Sequence, residues 1–435
     1  MQPARPEVIE NPSATEAAPP SLRVDERAWE LLQQVLFTPE GRANAYEYYS
    51  KLHQLGDDFL TPNGTHVVIG YDALTQMMRS PQFLKNNSLG ASQKTIAFSN
   101  LSEAQQRELD SWDADAAPLL GSLDPPDHPR IRGLVQRTFM ARHVDALRPK
   151  ITLEIERLLS DIDPTRPVDM HMRFGALFAP EIVAELIGLP SEDRAYVAEL
   201  TGIFMRGVDP GASFELRLAS TKSAYEQRQY VKKVIANRRE SPRDDLVTAL
   251  TKAAGETLSE AELIRLLNIL YLGGYETTAH MIGNGLVALL QNPVQLELLK
   301  SDMDTYMRPA VEEILRYDGA ISLTQVYPTP GATLLGKPTH ANATYLGLLT
   351  AGNRDPKAYD EPDQFIIDRK RKPILTFGGG PHFCLGMNLA KLELEMVFRE
   401  LFTRFPAMKL ADPHPPRSSL FLQQTYETVP VLLQP

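Results

Sequence analysis

Apolar residues recur at helical spacing along most of the chain. The spacing predicts helices over His128–Phe139, His143–Ile162, Pro180–Leu189, Asp193–Met205, Ala212–Arg239 and Arg243–Lys252. Two more fit Pro309–Tyr317 and Met387–Phe405. The longest stretch runs from about Ser259 to Leu290 and opens with Ser259-Glu-Ala-Glu262, which fits a capping box. At ~1.5 Å per residue it extends about 48 Å, the width of a whole domain. Phe59 to Ile69 reads instead as strand, turn and strand about Asn63-Gly64, a strong hairpin signal. Residues Ile321 to Thr376 read as strands and loops, and Met408 to Leu433 as short strands. The expectation is a mainly α fold with a minor β subdomain. One domain over residues 23–435 would follow a proline-rich tail, residues 1–22, that reads as disordered.

Composition narrows the function. The net charge is −10 at pH 7, which argues against non-specific nucleic-acid binding. Apolar runs are broken by charge well short of the ~18 residues that a membrane span needs. The first residues lack the apolar core of a signal peptide, so a cytoplasmic location is expected. Cys384 is the single cysteine. That rules out an internal disulfide, a four-thiolate zinc site and a cysteine-held iron–sulfur cluster. A bystander thiol, a nucleophile and a lone thiolate metal ligand remain open.

Four segments carry candidate chemistry. In Phe377-Gly-Gly-Gly-Pro-His-Phe-Cys-Leu-Gly386, the glycines permit close backbone approach and positive φ. Cys384 falls just before a helix with apolar positions Leu385, Leu389, Leu392 and Met396. A helix start lowers a thiol pKa through free N–H groups and the dipole. In Gly273-Gly-Tyr-Glu-Thr-Thr278, two glycines inside a helix cost roughly 1 kcal/mol each against alanine. They mark either a helix crossing or a site beside the Glu276–Thr277 acid–alcohol pair. Glu313 and Arg316 are i, i+3 on one helix face, where an exposed pair stabilises by only ~0.2–0.5 kcal/mol. His128 and Arg132 stand one helical turn apart and can address the same anion.

Together these segments resemble the cytochrome P-450 superfamily. The resemblance covers nearly the whole chain and implies its fold, with haem b between the long central helix and the cysteine loop. It implies Cys384 as the iron ligand and Glu276 and Thr277 as the proton-handling pair. Cofactor contacts carry over to His128, Arg132, Gly274, Thr278, Phe377, Gly378, His382 and Gly386, and a buried structural brace to Glu313 and Arg316. The implied activity is that of a soluble bacterial monooxygenase of secondary metabolism, a monomer inserting one atom of O2 into a small apolar molecule. Electrons would come from NAD(P)H through a ferredoxin and its reductase, docking near Arg130, Arg137, Arg142 and Lys391. The alternatives are a degenerate scaffold with weak or absent haem, and a peroxide-driven oxygenase or isomerase-like enzyme.

Three departures stand out. The arginine that usually completes the Glu313–Arg316 brace is Gln364 here, so Gln364 is expected to substitute. The strand arginine that usually meets a haem propionate falls on Val326, and a frequent histidine falls on Ile374. An unpaired buried carboxylate is costly. Arg371 or Lys372 is therefore expected to compensate, with Gln325 as a neutral donor. The resemblance implies a substrate pocket along Lys85–Leu120, near Phe204 and Ala212, along Leu270–Thr277 and Ala320–Gln325, and near Phe421.

Overall fold

The capping box at Ser259 forms as the sequence predicts. Ser259 Oγ accepts from Glu262 N at 3.2 Å, and the Glu262 carboxylate accepts from Ser259 N at 2.8 Å. The helix it starts is not continuous, however. In this computed structural model, which describes residues 24–86, 102–113, 116–209, 212–255, 257–340, 343–420 and 422–433, it divides into Glu260–Tyr275 and Thr277–Gln291. The break has a local cause. Thr277 Oγ1 donates to Gly273 O at 2.8 Å and competes for a carbonyl that the helix ladder would use.

The Thr277–Gln291 half runs through the middle of the main core. Its Ile282, Leu286 and Leu289 share one buried cluster with Val311 and Ile314 of helix Met303–Tyr317, and with Val397, Phe398 and Leu401 of helix Met387–Arg404. A Cβ at Gly285 would fall 2.4 Å from Phe398 Cζ, so the glycine is what lets that ring seat against the helix. The Glu260–Tyr275 half packs in a second cluster, where Leu263, Leu266 and Leu267 meet Val183 and Ile187 of helix Ala176–Ile187 and Val234 and Ile235 of helix Phe214–Glu240.

Ten short strands are described: β1 (Asp58–Leu60), β2 (His66–Val68), β3 (Phe83–Leu84), β4 (Val168–Asp169), β5 (Leu323–Pro328), β6 (Thr333–Leu334), β7 (Lys337–Pro338), β8 (Tyr345–Leu348), β9 (Lys409–Leu410) and β10 (Pro430–Leu432). The largest sheet has the order β1-β2-β8-β5-β3. All its pairs are antiparallel except β2 with β8, which is parallel with His66 against Tyr345. A second sheet has the order β4-β10-β9, and β6 pairs with β7.

The mainly α reading therefore holds, with corrections in detail. Helices Glu26–Phe37, Ala45–His53, Tyr71–Arg79 and Glu103–Asp113 went unread in the sequence. The span expected over His143–Ile162 is two helices, Ala141–Asp145 and Arg148–Ser160. Pro309 lies inside helix Met303–Tyr317 rather than at its start, because the Asp302 carboxylate caps that helix through Asp304 N and Thr305 N. The expected N-terminal tail, residues 87–101 and 114–115 of the pocket loop, and Phe421 lie outside the described residues. Among the described residues, no helix is long and apolar enough to cross a membrane.

Candidate active site

Cys384 N donates to Phe377 O at 2.9 Å and closes the glycine loop. Gly378 and Gly380 both take positive φ, 71° and 59°. At Gly380 a Cβ would stand 2.5 Å from Met78 O, so only glycine lets the loop press onto helix Tyr71–Arg79. Helix Met387–Arg404 begins three residues after the cysteine. The sulfur is open to an interior cavity and enclosed by protein on its other sides. Burial raises its pKa, while the Gly386 and Met387 N–H groups and the Arg132 charge oppose the rise. The helix start thus acts in the expected direction, but desolvation outweighs it.

The cavity measures about 390 Å³. One part of its wall is apolar, including Leu120, Val183, Ile269, Leu270, Met281 and Ile321. Another part is basic: Lys85, His128, Arg132 and His382 all reach it. The rings of His128 and His382 lie 4.0 Å apart, and His128 Nε2 is buried without a hydrogen-bond partner. Arg132 Nη2 donates to Phe383 O at 2.5 Å. Burial, together with His128, Lys85 and Arg132, lowers the His382 pKa to about 3. The nearby carboxylate, Asp124, is occupied by the backbone N–H groups of Lys85 and Asn86, at 3.0 and 2.7 Å. Two cations, Arg132 and Lys85, beside an orphaned imidazole, with Asp124 already occupied, make this wall suited to an anion.

At the helix break, Gly273, Gly274, Thr277 and Thr278 line the same cavity. Gly274 also serves packing, since a Cβ there would meet Val183 Cγ2 at 2.8 Å. At Gly273 nothing stands within 4 Å. Glu276 is not part of the cavity wall. Its carboxylate accepts from Gln423 Nε2 at 3.1 Å, and burial raises its pKa against Gln423 and Arg206. Thr278 Oγ1 donates to Glu393 Oε2 at 3.0 Å. Glu393 is fully enclosed, also reaches the cavity, and has its pKa pushed up to about 8 by burial.

Of the expected site residues, His128, Arg132, Gly274, Thr277, Thr278, Phe377, His382, Cys384 and Gly386 meet at this cavity. Gly378 turns the loop behind it, and Glu276 lies alongside. Glu393, Gln423 and the role of Lys85 were missed. Lys85 stood only at the edge of the expected pocket loop, and Glu393 looked like an ordinary polar position on an amphipathic helix. Leu120, Leu270, Ala320 and Ile321 line the cavity as expected, whereas Phe204 and Ala212 do not.

Three expectations are corrected. The charge that completes the Glu313–Arg316 brace is supplied by Arg369, not by Gln364. Arg316 donates to both Glu313 oxygens at 2.7 and 2.8 Å, and Arg369 Nε approaches Glu313 Oε1 at 3.4 Å. The Gln364 side chain instead turns out to Glu361. Arg371 and Lys372 do not reach the cavity: both are exposed, and Lys372 Nζ donates to Ala358 O at 3.0 Å. Gln325 spends its amide on Tyr327 Oη. Of the expected docking charges, Arg130 is paired with Asp127 and Glu262, and Lys391 with Glu312; Arg137 and Arg142 are exposed.

A lone thiol at a cavity with a basic wall, beside a bent helix, is the arrangement a haem-thiolate protein requires. Comparison with known proteins agrees. The family described as Cytochrome P450 matches residues 218–429. Cytochrome P450 107B1 of Saccharopolyspora erythraea is 32% identical over 348 residues, 79% of this chain and 83% of that one. Cytochrome P450 monooxygenase PikC of Streptomyces venezuelae is 33% identical over 378 residues, 85% of each. The solved structure of P450BioI in complex with hexadec-9Z-enoic acid ligated acyl carrier protein superposes with a TM-score of 0.81, at 27% identity over 91% of this chain and 99% of that one.

The chain belongs to the cytochrome P450 family and is a P450 monooxygenase, an enzyme type that uses haem and O2. The residues present fit haem: one thiol sulfur for iron, and Arg132 and Lys85 with an unpartnered buried His128 for carboxylates.

Proposed function

We propose that Cys384 Sγ ligates the haem iron and that residues 23–435 form one haem domain oxidising a small apolar molecule with electrons from a ferredoxin and its reductase. The observation that carries this reading is the opening of Cys384 onto a cavity whose polar wall is basic. His128, Arg132 and His382 would hold the propionates. Gly386 and Met387 N–H groups offset the thiolate charge.

Bound haem supplies the reductive activation of O2, with one oxygen atom entering the substrate and the other leaving as water with two electrons and two protons. The chain's own residues manage those protons. Thr277 donates to Gly273 O, which fixes its hydroxyl and presents its lone pairs to a water in the cavity. Glu276 takes up a proton more readily than an exposed carboxylate because burial disfavours its charge. Gln423 steadies it through the bond to its carboxylate. The apolar wall of Leu120, Val183, Ile269 and Leu270 excludes bulk water and receives the substrate.

The visible spectrum of the reduced protein under carbon monoxide tests the reading. A strongly red-shifted Soret band is expected. An unshifted band, or no haem after reconstitution, would overturn the role of Cys384. Compounds that shift the iron spin state on titration then define the substrate class.

A further inference from the structure

We infer that Lys85 is a second cation of the haem propionate clamp, beside Arg132 and the His128 and His382 imidazoles, carried by the sheet edge to the place where β5 has Val326 instead of a basic residue. This rests on the haem-thiolate reading above.

The register places it there. Strand β3 pairs antiparallel with β5, Phe83 against Pro328 and Leu84 against Tyr327. One residue further, Lys85 comes level with Val326. The Val326 side chain is buried in the apolar cluster behind the sheet with Phe83 and Tyr345, so it offers the cavity nothing. Lys85 does not continue the ladder: its N–H turns to Asp124, and its side chain reaches the cavity with His128, Arg132 and His382. Its Nζ is held at 2.5 Å from Thr324 Oγ1 and 3.1 Å from Gln325 O, both on β5. Two of three ammonium donors are thereby spent on positioning, and one remains. Burial pulls the lysine down to about 8, with Asp124 opposing. An anionic ligand would favour the charged form in the same way.

Haem transfer from the holoenzyme to excess apomyoglobin tests the assignment. Lys85→Met should lose haem roughly 10-fold faster or more, the scale of one charge-assisted hydrogen bond. Lys85→Arg should hold it near the wild-type rate. Reconstitution with haem dimethyl ester, whose propionates carry no charge, should erase the difference between wild type and Lys85→Met. Lys372→Met should match wild type. Where Lys85→Met does not fold, Lys85→Gln keeps the reach without the charge and puts the same question. Equal haem loss from wild type and variant, or an acceleration that persists with the ester, would overturn the proposal, the latter by revealing a purely structural lysine. A wild-type protein without the thiolate spectrum would instead remove the reading beneath it, and the clamp with it.

Discussion

Arg369 Nε stands 3.4 Å from Glu313 Oε1, so a buried glutamate is shared between two arginines, one from its own helix and one from the loop beyond it. Arg369 also donates to Glu361 O at 3.0 Å and Gln364 O at 2.9 Å, and Arg316 to Asn353 O at 3.0 Å and Pro362 O at 2.8 Å. The three side chains tie helix Met303–Tyr317 to the segment leading into the cysteine loop.

Removing one partner of such a buried group strands the other. Arg316→Ala should destabilise the fold by about 3–5 kcal/mol. Arg369→Ala, which leaves Glu313 one arginine, should cost about 1.5–3 kcal/mol. Gln364→Ala should stay within ~0.5 kcal/mol, because its side chain is exposed. Urea unfolding of the three variants ranks them; a larger loss at Gln364 than at Arg369 would contradict the assignment.

Glu393 makes stability depend on pH in an unusual direction. Its folded pKa of about 8 lies above the usual 4.5, so the folded state keeps a proton that the unfolded state releases. Stability from this group is fully present below pH ~4.5 and falls as pH rises to about 8, at about 1.4 kcal/mol per pH unit. Glu393→Gln should flatten that part of the profile and be more stable than wild type near pH 8. Thermal unfolding between pH 5 and 9 checks it; parallel profiles would count against a neutral Glu393.

The two glycines of the bent helix should respond differently to one methyl group. Gly274→Ala drives a Cβ to 2.8 Å from Val183 Cγ2, an overpacking that costs about 1–3 kcal/mol. Gly273→Ala meets nothing within 4 Å and should be neutral or gain up to ~1 kcal/mol of helix propensity. Its methyl group faces the cavity, so it should weaken binding of the larger spin-shifting ligands. Melting temperatures and ligand titrations of both variants separate the two effects.

Thr277→Ala removes the hydroxyl that bonds Gly273 O and that we propose orders cavity water. Haem content and the carbon monoxide spectrum should be unchanged, while a larger share of the reducing equivalents leaves as hydrogen peroxide. Cys384→Ala should lose the thiolate spectrum altogether. Peroxide formed per NADH, with a surrogate ferredoxin system, reads the first result; tight coupling in Thr277→Ala would sink the proton-handling role.

Local signals in the sequence carried far. The loop around Cys384, the Gly273–Thr278 segment and the His128–Arg132 pair are contiguous or one turn apart, so periodicity and glycine placement expose them. What stayed hidden depends on tertiary proximity. Lys85 reaches the site through strand register with β5, and no spacing along the chain reports that. Arg369 replaces an arginine expected elsewhere in the same segment because the loop folds back over Glu313. The apolar period runs unbroken through Glu276, so within the sequence pattern only the glycines before it and the resemblance mark the helix break.

The parallel pairing of β2 with β8 has a consequence for biosynthesis. His66 must wait for Tyr345, so the hairpin made early in translation keeps one unsatisfied edge until nearly the whole chain has left the ribosome. During that interval the nascent chain presents Val67 and Val68, which end fully buried, as an open template for strand addition. Slow elongation between the two segments, or a ribosome stalled before β8, therefore exposes this enzyme to aggregation at its N-terminal sheet rather than at its helical core.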